Sequence, residues 1–232
     1  MKPSSRLGAA LLVAVSLVTG GPSSATRAST LVRYPLNNSA DGQSGLSYQA
    51  FDSAVLASSS VAPGPGLGVF GVGTDSWSGS TEVLKNGPGS SIANATAADA
   101  LANDWYFTIN LTPNTTMDIG SIAADWSRGG AAEVRGWFVR SSHDGFATNL
   151  YSNETPAGTA TGLQHVSFNL SGFTGVGATG FRFYIYTPDT KRYMDFQNIQ
   201  FNAPAVPEPS TLAMTLAGLA CGLAMVRRRK RA

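Results

Sequence analysis

The sequence predicts an all-β protein, an antiparallel β-sandwich, set between two apolar terminal segments. Three observations carry that expectation. Charged residues are only 13% of the 232, while 26 residues are glycine; a soluble domain ordinarily has about twice that share of charge. Several segments alternate apolar and polar residues with a period of two, the mark of half-buried strands. Clusters rich in Gly, Asn and Pro separate them, at 37–45, 63–68, 113–114, 129–130 and 172–180.

Taken in order, 31–36 (LVRYPL) and 46–51 (LSYQAF) are short strand candidates, and 105–111 (WYFTINL) is aromatic and β-branched. In 133–140 (EVRGWFVR), Val134, Gly136 and Phe138 share one face and Arg135, Trp137 and Val139 the other. In 163–170, Val166, Phe168 and Leu170 oppose His165, Ser167 and Asn169. In 181–187 (FRFYIYT), the period turns Phe181, Phe183 and Ile185 inward and Arg182, Tyr184 and Tyr186 outward. The last strand, 193–201, breaks its own parity, since Met194 and Phe196 match each other while Ile199 and Phe201 are out of phase with them. A bulge near Gln197-Asn198 brings all four onto one face. The Ala-rich stretch 92–103 is the one helix candidate, either a turn or two or a full helix. Residues 58–73, with two prolines and five glycines, read as a long surface loop or as the lead into a strand around 67–72. Neither a repeat of fixed period nor a second domain is evident.

The two ends are legible by order alone. Lys2 and Arg6 precede the apolar run 7–18, and small residues follow. This is the layout of a secretory signal peptide over residues 1–28, for which cleavage after Ala25 or after Ala28 fits equally well; it implies passage through the Sec translocon and cutting by signal peptidase. At the other end, Pro207-Glu208-Pro209 leads into an uncharged apolar segment, 212–226, closed by Arg227, Arg228, Arg229, Lys230 and Arg231. With Ser210 and Thr211 contributing and the arginines snorkelling, that segment reaches across a bilayer. Basic residues stay on the cytoplasmic side, so both ends place the middle of the chain across the membrane. The organisation expected is a signal peptide (1–28), a β-sandwich (29–203), a Pro-rich stem (204–211), a transmembrane helix (212–226) and a basic tail (227–232).

Charge and thiol content narrow the function classes. Between residues 29 and 206 there are eight basic and 13 acidic side chains, a net charge of −5, so the body repels phosphate and nucleic acid is not an expected partner. Cys221, the sole cysteine, lies in the terminal apolar segment. The body therefore has neither a disulfide nor a thiolate, and core packing must hold it.

The Pro-Glu-Pro, the apolar helix behind it and the terminal basic cluster together resemble the PEP-CTERM sorting signal of Gram-negative bacteria. The resemblance rests on Pro207, Glu208 and Pro209, the helix 212–226, and Arg227, Arg228 and Arg229 with the basic residues after them. It implies recognition by an exosortase, anchoring in the membrane before processing, then a place at the cell surface or in the extracellular matrix, alongside exopolysaccharide and biofilm. The body, through 103–111, 139–146, 181–186 and 195–201, resembles the jelly-roll domains of such proteins. That likeness implies a jelly-roll-like sandwich akin to carbohydrate-binding modules.

The search for chemistry yields candidates rather than a centre. Ser141, Ser142, His143 and Asp144 are adjacent, and adjacent side chains diverge too far to form a triad among themselves. A glycosidase needs two facing carboxyl groups, and spacing selects no pair among Asp104, Asp118, Asp125, Glu133, Asp144, Glu154, Asp189 and Asp195. No enzyme is expected and no cofactor is required. For a structural Ca²⁺, Asp195 and Asn198 are the candidate ligands, with Asp41 and Asp52 available to complete the set. For stacking on sugar rings the candidates are Trp77, Trp126, Tyr184 and Tyr186, with Trp77 in the most loop-like setting. Two readings result: a non-catalytic surface or matrix protein associated with exopolysaccharide, and a module that binds a surface polysaccharide.

Overall fold

Alternation of apolar and small polar residues drives this chain into strands, and among the described residues it forms twelve of them and one short α-helix. The computed structural model describes residues 28–36, 50–74, 82–128, 133–158 and 162–205. The expected signal segment up to Arg27, the stem from Val206, the membrane helix and the basic tail lie outside them, as do Asp41 and Trp77. In order come β1 (Thr30–Tyr34), β2 (Ala50–Phe51), β3 (Leu56–Pro63), β4 (Leu67–Thr74), β5 (Glu82–Pro88), α1 (Ala97–Ala102), β6 (Tyr106–Pro113) and β7 (Ser121–Arg128). They are followed by β8 (Arg135–Ser141), β9 (Tyr151–Thr155), β10 (Gln164–Asn169), β11 (Thr179–Tyr186) and β12 (Met194–Asn202).

All pairings are antiparallel. One sheet runs β10-β7-β12-β1-β2, and the other β3-β6-β11-β8-β9. Consecutive strands from β5 to β8 and from β9 to β12 alternate between the sheets, which is the winding of a jelly roll. Four strands, β2 to β5, are inserted between β1 and β6. Of these, β3 extends the second sheet beyond β6, and β5 brings β4 with it onto the half of β12 that β1 leaves free, at Met194–Phe196.

The space between the sheets is filled with aromatic rings. Phe107 and Phe183, from neighbouring strands of the second sheet, stack at 4.9 Å, and Trp137 continues the row at 6.3 Å from Phe183. Phe196 of the first sheet meets that row edge-on, 5.1 Å from Trp137 and 5.4 Å from Phe107. Offset and T-shaped contacts of this kind add to the gain from burial. The expected bulge is present: the register of β12 against β7 shifts between Gln197 and Gln200, with Asn198 at φ +49°. Met194, Phe196, Ile199 and Phe201 all end up fully buried.

Two features differ from the sequence-based expectation, and the helix follows one of its two alternatives. First, the strand expected around 67–72 is present as β4, but the stretch before it is strand as well, since β3 runs over Leu56–Pro63. The chain crosses between sheets at Gly64–Gly66, where a Cβ on Gly66 would overlap the Asn103 carbonyl; the glycines and prolines serve that crossing. The helix is the turn or two that the sequence allowed, Ala97–Ala102. Thr96 is extended and caps it reciprocally with Asp99, and Asn103 closes it. Second, the second sheet is covered in part on its outer face too, although Asn110 and Thr112 of β6 stay exposed there. Helix α1 packs against β11 and β8, so Tyr184 and Tyr186, expected to face outward, are only 3% and 4% exposed.

If the aromatic seam holds the two layers together, Phe183→Ala should lower unfolding stability by about 3–5 kcal/mol. Lys191→Ala, on the surface, should change it by less than about 0.5 kcal/mol. Urea unfolding followed by tryptophan fluorescence compares the two; equal, small effects would contradict the assignment.

Candidate functional site

Strand direction gives the sandwich two unlike poles. Thr30 pairs with Asn202, and the Ala203 N–H donates to the Ser29 carbonyl at 2.8 Å. Residues 28 and 205 therefore leave the domain at the same pole. Gly120 is pressed against Pro204 there. At the opposite pole, Arg128 ends β7, Arg135 begins β8, and Thr155 ends β9.

Two buried arginines close this distal pole. Arg128, 1% exposed, donates to the carbonyls of Thr155 at 3.1 Å and Pro156 at 2.7 Å, and to that of Glu133. Arg135 is fully buried, and its Nη1 lies 3.4 Å from the Tyr193 carbonyl. Burial, with the positive charges of Arg128 and Arg192 nearby, brings the Arg135 pKa down to about 10, against the opposing pull of Glu133 and Asp195. Both guanidiniums remain protonated at neutral pH. Their forked donors satisfy loop carbonyls that would otherwise be buried unpaired.

The frame so fixed carries a cleft of about 250 Å³. Asn94, Ala95 and Thr96 line one side, and Glu133, Val134, Glu154 and Pro188 the other. Glu133 and Glu154 are exposed, the first just ahead of β8 and the second on β9, opposite Gly136. The Tyr186 hydroxyl donates to Glu154 Oε2 at 3.0 Å. That ring lies over Gly136, where a Cβ would collide with its hydroxyl. Burial, then the bond to Glu154 and that carboxylate's charge, raise the Tyr186 pKa above the usual phenol range. The cleft thus combines two carboxylates and an amide with an apolar wall, and Val134 is 41% exposed.

The residues singled out from the sequence distribute as follows. Trp126 is 2% exposed and packs 6.1 Å from Trp137. Tyr184 stacks on Phe138 at 4.8 Å and lies 5.0 Å from Tyr106. Together with Tyr186, these rings spend their faces on the protein, and the expectation of stacking platforms at Trp126, Tyr184 and Tyr186 is corrected: α1 and the facing sheet cover them. Trp77 lies outside the described residues. Asp195 is fully buried and accepts from Ser127 Oγ at 3.4 Å. Asn198 belongs to a different group. Its amide donates to Asp125 Oδ2 at 2.8 Å, and its carbonyl accepts from Arg33 at 2.7 Å. His165 Nδ1 lies 2.8 Å from the other Asp125 oxygen. The four side chains form a polar row across β1, β12, β7 and β10. Asp52 turns to its own loop, accepting from the Ala54 N–H. Among the described residues, no three His, Cys, Asp or Glu side chains gather as a metal would need.

In the Ser141–Asp144 segment, Asp144 closes a 3-10 turn by accepting from Ala147 and Thr148, while the His143 ring packs 5.0 Å from Phe173. The side chains diverge, as adjacency requires. Sequence reasoning did not find the cleft. Glu133 and Glu154 stood among eight undifferentiated carboxylates, and only the pairing of Arg135 with Thr155 brings their neighbours together. Nor did it mark Arg128 and Arg135 as internal, since nothing in a strand pattern separates a buried arginine from a surface one.

Two expectations follow. Arg128→Met should cost about 2–4 kcal/mol, because it strands loop carbonyls at the distal pole; chemical denaturation measures it, and a change under about 0.5 kcal/mol would refute the role. Alkali gives the second. Burial pushes Tyr34 up to about 12, with the Ser59 hydroxyl pulling the other way, and Tyr186 is raised as well. Phenols with raised folded pKa values contribute stability below pH 10 that is lost as pH climbs through the folded values. Burial raises Tyr106 too, so absorbance titration at 295 nm should show Tyr34, Tyr106 and Tyr186, among the seven tyrosines, ionising late or only on unfolding; seven equivalent ionisations near pH 10 would count against it.

No curated protein matches the chain. Among solved structures, the K3 cleaved adhesin domain of Lys-gingipain from Porphyromonas gingivalis is 11% identical, over 54% of this chain and 76% of that one, with a TM-score of 0.37. A family 29 carbohydrate-binding module is 11% identical, over 76% and 89%, with a TM-score of 0.35. The CBM35 from Paenibacillus barcinonensis is 12% identical, over 63% and 98%, with a TM-score of 0.31. At these scores the likeness decides nothing about ligands. The family comparison bears on the tail instead, matching residues 205–231 to the PEP-CTERM protein-sorting motif. Beginning three residues after the last strand, the chain thus carries a PEP-CTERM sorting motif, the mark of an exported protein that is anchored in a membrane and then processed by an exosortase.

Proposed function

We propose that this is a non-catalytic protein of the Gram-negative cell surface or extracellular matrix, delivered by its sorting segment and associated with exopolysaccharide. The sorting motif over 205–231 carries the reading. Export runs through the Sec translocon, with signal peptidase removing the leader; exosortase acts near Pro207-Glu208-Pro209, and Arg227–Arg229 hold the cytoplasmic side until then. The body suits this destination. It has no thiol to oxidise, few charges and a net charge of −5. A glycosidase would need one of its paired carboxyl groups shielded from water, and Glu133 and Glu154 are both exposed. Structural Ca²⁺ is not part of the proposal, because the Asn198 amide is already bonded at both its oxygen and its nitrogen.

The distal cleft favours a second reading, recognition of a polysaccharide. Carboxylates and an amide set beside an apolar wall suit a sugar ring, which has hydroxyls at its edge and CH groups on its faces. Retention of the full chain on immobilised polysaccharide from the producing cell, lost in a variant with Val134→Arg, would favour this reading over simple entrapment.

Processing is tested at the C-terminus. Mass spectrometry of surface-located protein should find chains ending near Pro207–Pro209, without Arg227–Ala232. Recovery of the intact basic tail from that fraction would overturn the sorting account.

A further inference from the structure

We propose that the distal cleft binds an ammonium-bearing sugar unit, a hexosamine with a free amine, presented by a polysaccharide. The proposal rests on the sugar-recognition reading above and adds the chemistry that selects among sugars.

The cleft itself supplies the argument. Its volume of about 250 Å³ falls below the ~300–1,000 Å³ of sites for drug-sized ligands, the scale of one sugar ring. Among the described residues no Lys, Arg or His side chain lines it, while Glu133 and Glu154 both do. An ammonium has three hydrogens to donate and no acceptor. Two carboxylates and the Asn94 side chain offer the matching acceptors. Val134, Ala95 and Pro188 present an apolar wall for the CH face of the ring. A uronate or sulfated sugar in the same place would set its anion against the two lining carboxylates.

Two further observations act in the same direction. The cleft is prearranged, because Arg128 bonds the carbonyls of Glu133, Thr155 and Pro156 and so fixes both segments that carry the glutamates. The Tyr186 hydroxyl holds Glu154 from the side. Little ordering is then left for the ligand to impose. The net charge of −5 on residues 29–206 draws a polycation in from a distance, an effect confined by salt to about 8 Å under physiological conditions.

The test uses the full chain in detergent, titrated calorimetrically with glucosamine oligomers, with N-acetylglucosamine oligomers of equal length and with spermidine. The glucosamine oligomer should bind, and the other two at least about tenfold more weakly. Glu133→Gln with Glu154→Gln should reduce glucosamine-oligomer binding by about tenfold or more, as expected when charge-assisted hydrogen bonds become neutral ones. A glutamine at 154 still accepts from Tyr186, so an unchanged near-ultraviolet dichroism spectrum separates lost recognition from lost folding. Should the double variant unfold, Val134→Arg, which places a cation in the cleft, must give the same loss. Equal binding of acetylated and free-amine oligomers would overturn the ammonium claim and leave sugar recognition standing. Equal binding of spermidine would overturn the sugar component. Binding of no oligomer at all would overturn both.

Discussion

The structure depends on one contact above others, the row of aromatic rings between the two sheets. Phe107, Phe183 and Trp137 line up on the second sheet, and Phe196 drives an edge into them from the first. A body without cysteine has no covalent staple, so this burial must offset the cost of ordering the chain. Each ring comes from a different strand, and the strands are far apart in sequence. The seam therefore fixes register as well as stability, since a slip of one residue in β11 or β12 would turn its rings out of the core.

Burying aromatic residues so thoroughly has a consequence for recognition. Tyr184 and Tyr186 alternate with Phe183 and Ile185 and so lie on the opposite face of β11, yet α1 shuts that face too. With those rings enclosed, the described surface offers polar groups beside a few scattered apolar side chains, Phe51, Val134 and Leu163 among them. The first sheet carries the row Arg33, Asn198, Asp125 and His165, and the distal pole carries the cleft between Glu133 and Glu154.

Much of this was legible in the sequence, for reasons that differ by region. Period-two alternation revealed β8, β10 and β11, because their inner and outer residues differ in polarity. The parity break at 194–201 revealed the bulge, because four large apolar residues must share one core. Strand β3 was not evident, and β4 only as the alternative to a loop. Their serines and glycines carry little apolar signal, and the prolines that end β3 and shape the crossing look like loop. The coverage of β11 was also out of reach, since the tyrosines that α1 hides read like residues meant for water. The sorting motif was the easiest feature to read, being a linear pattern of basic, apolar and Pro-Glu-Pro segments. The cleft was the hardest, because it is made by register and by two arginines whose burial no local pattern announces.

The claim that the inter-sheet seam is what holds the domain is tested most directly by native-state amide hydrogen exchange resolved by segment. The account predicts the slowest exchange, at the free energy of global unfolding, in β6, β8, β11 and β12, whose rings form the seam, with α1 and the edge strands β3 and β10 opening at lower cost. Slowest exchange in α1 or in an edge strand, with the seam strands opening first, would contradict it.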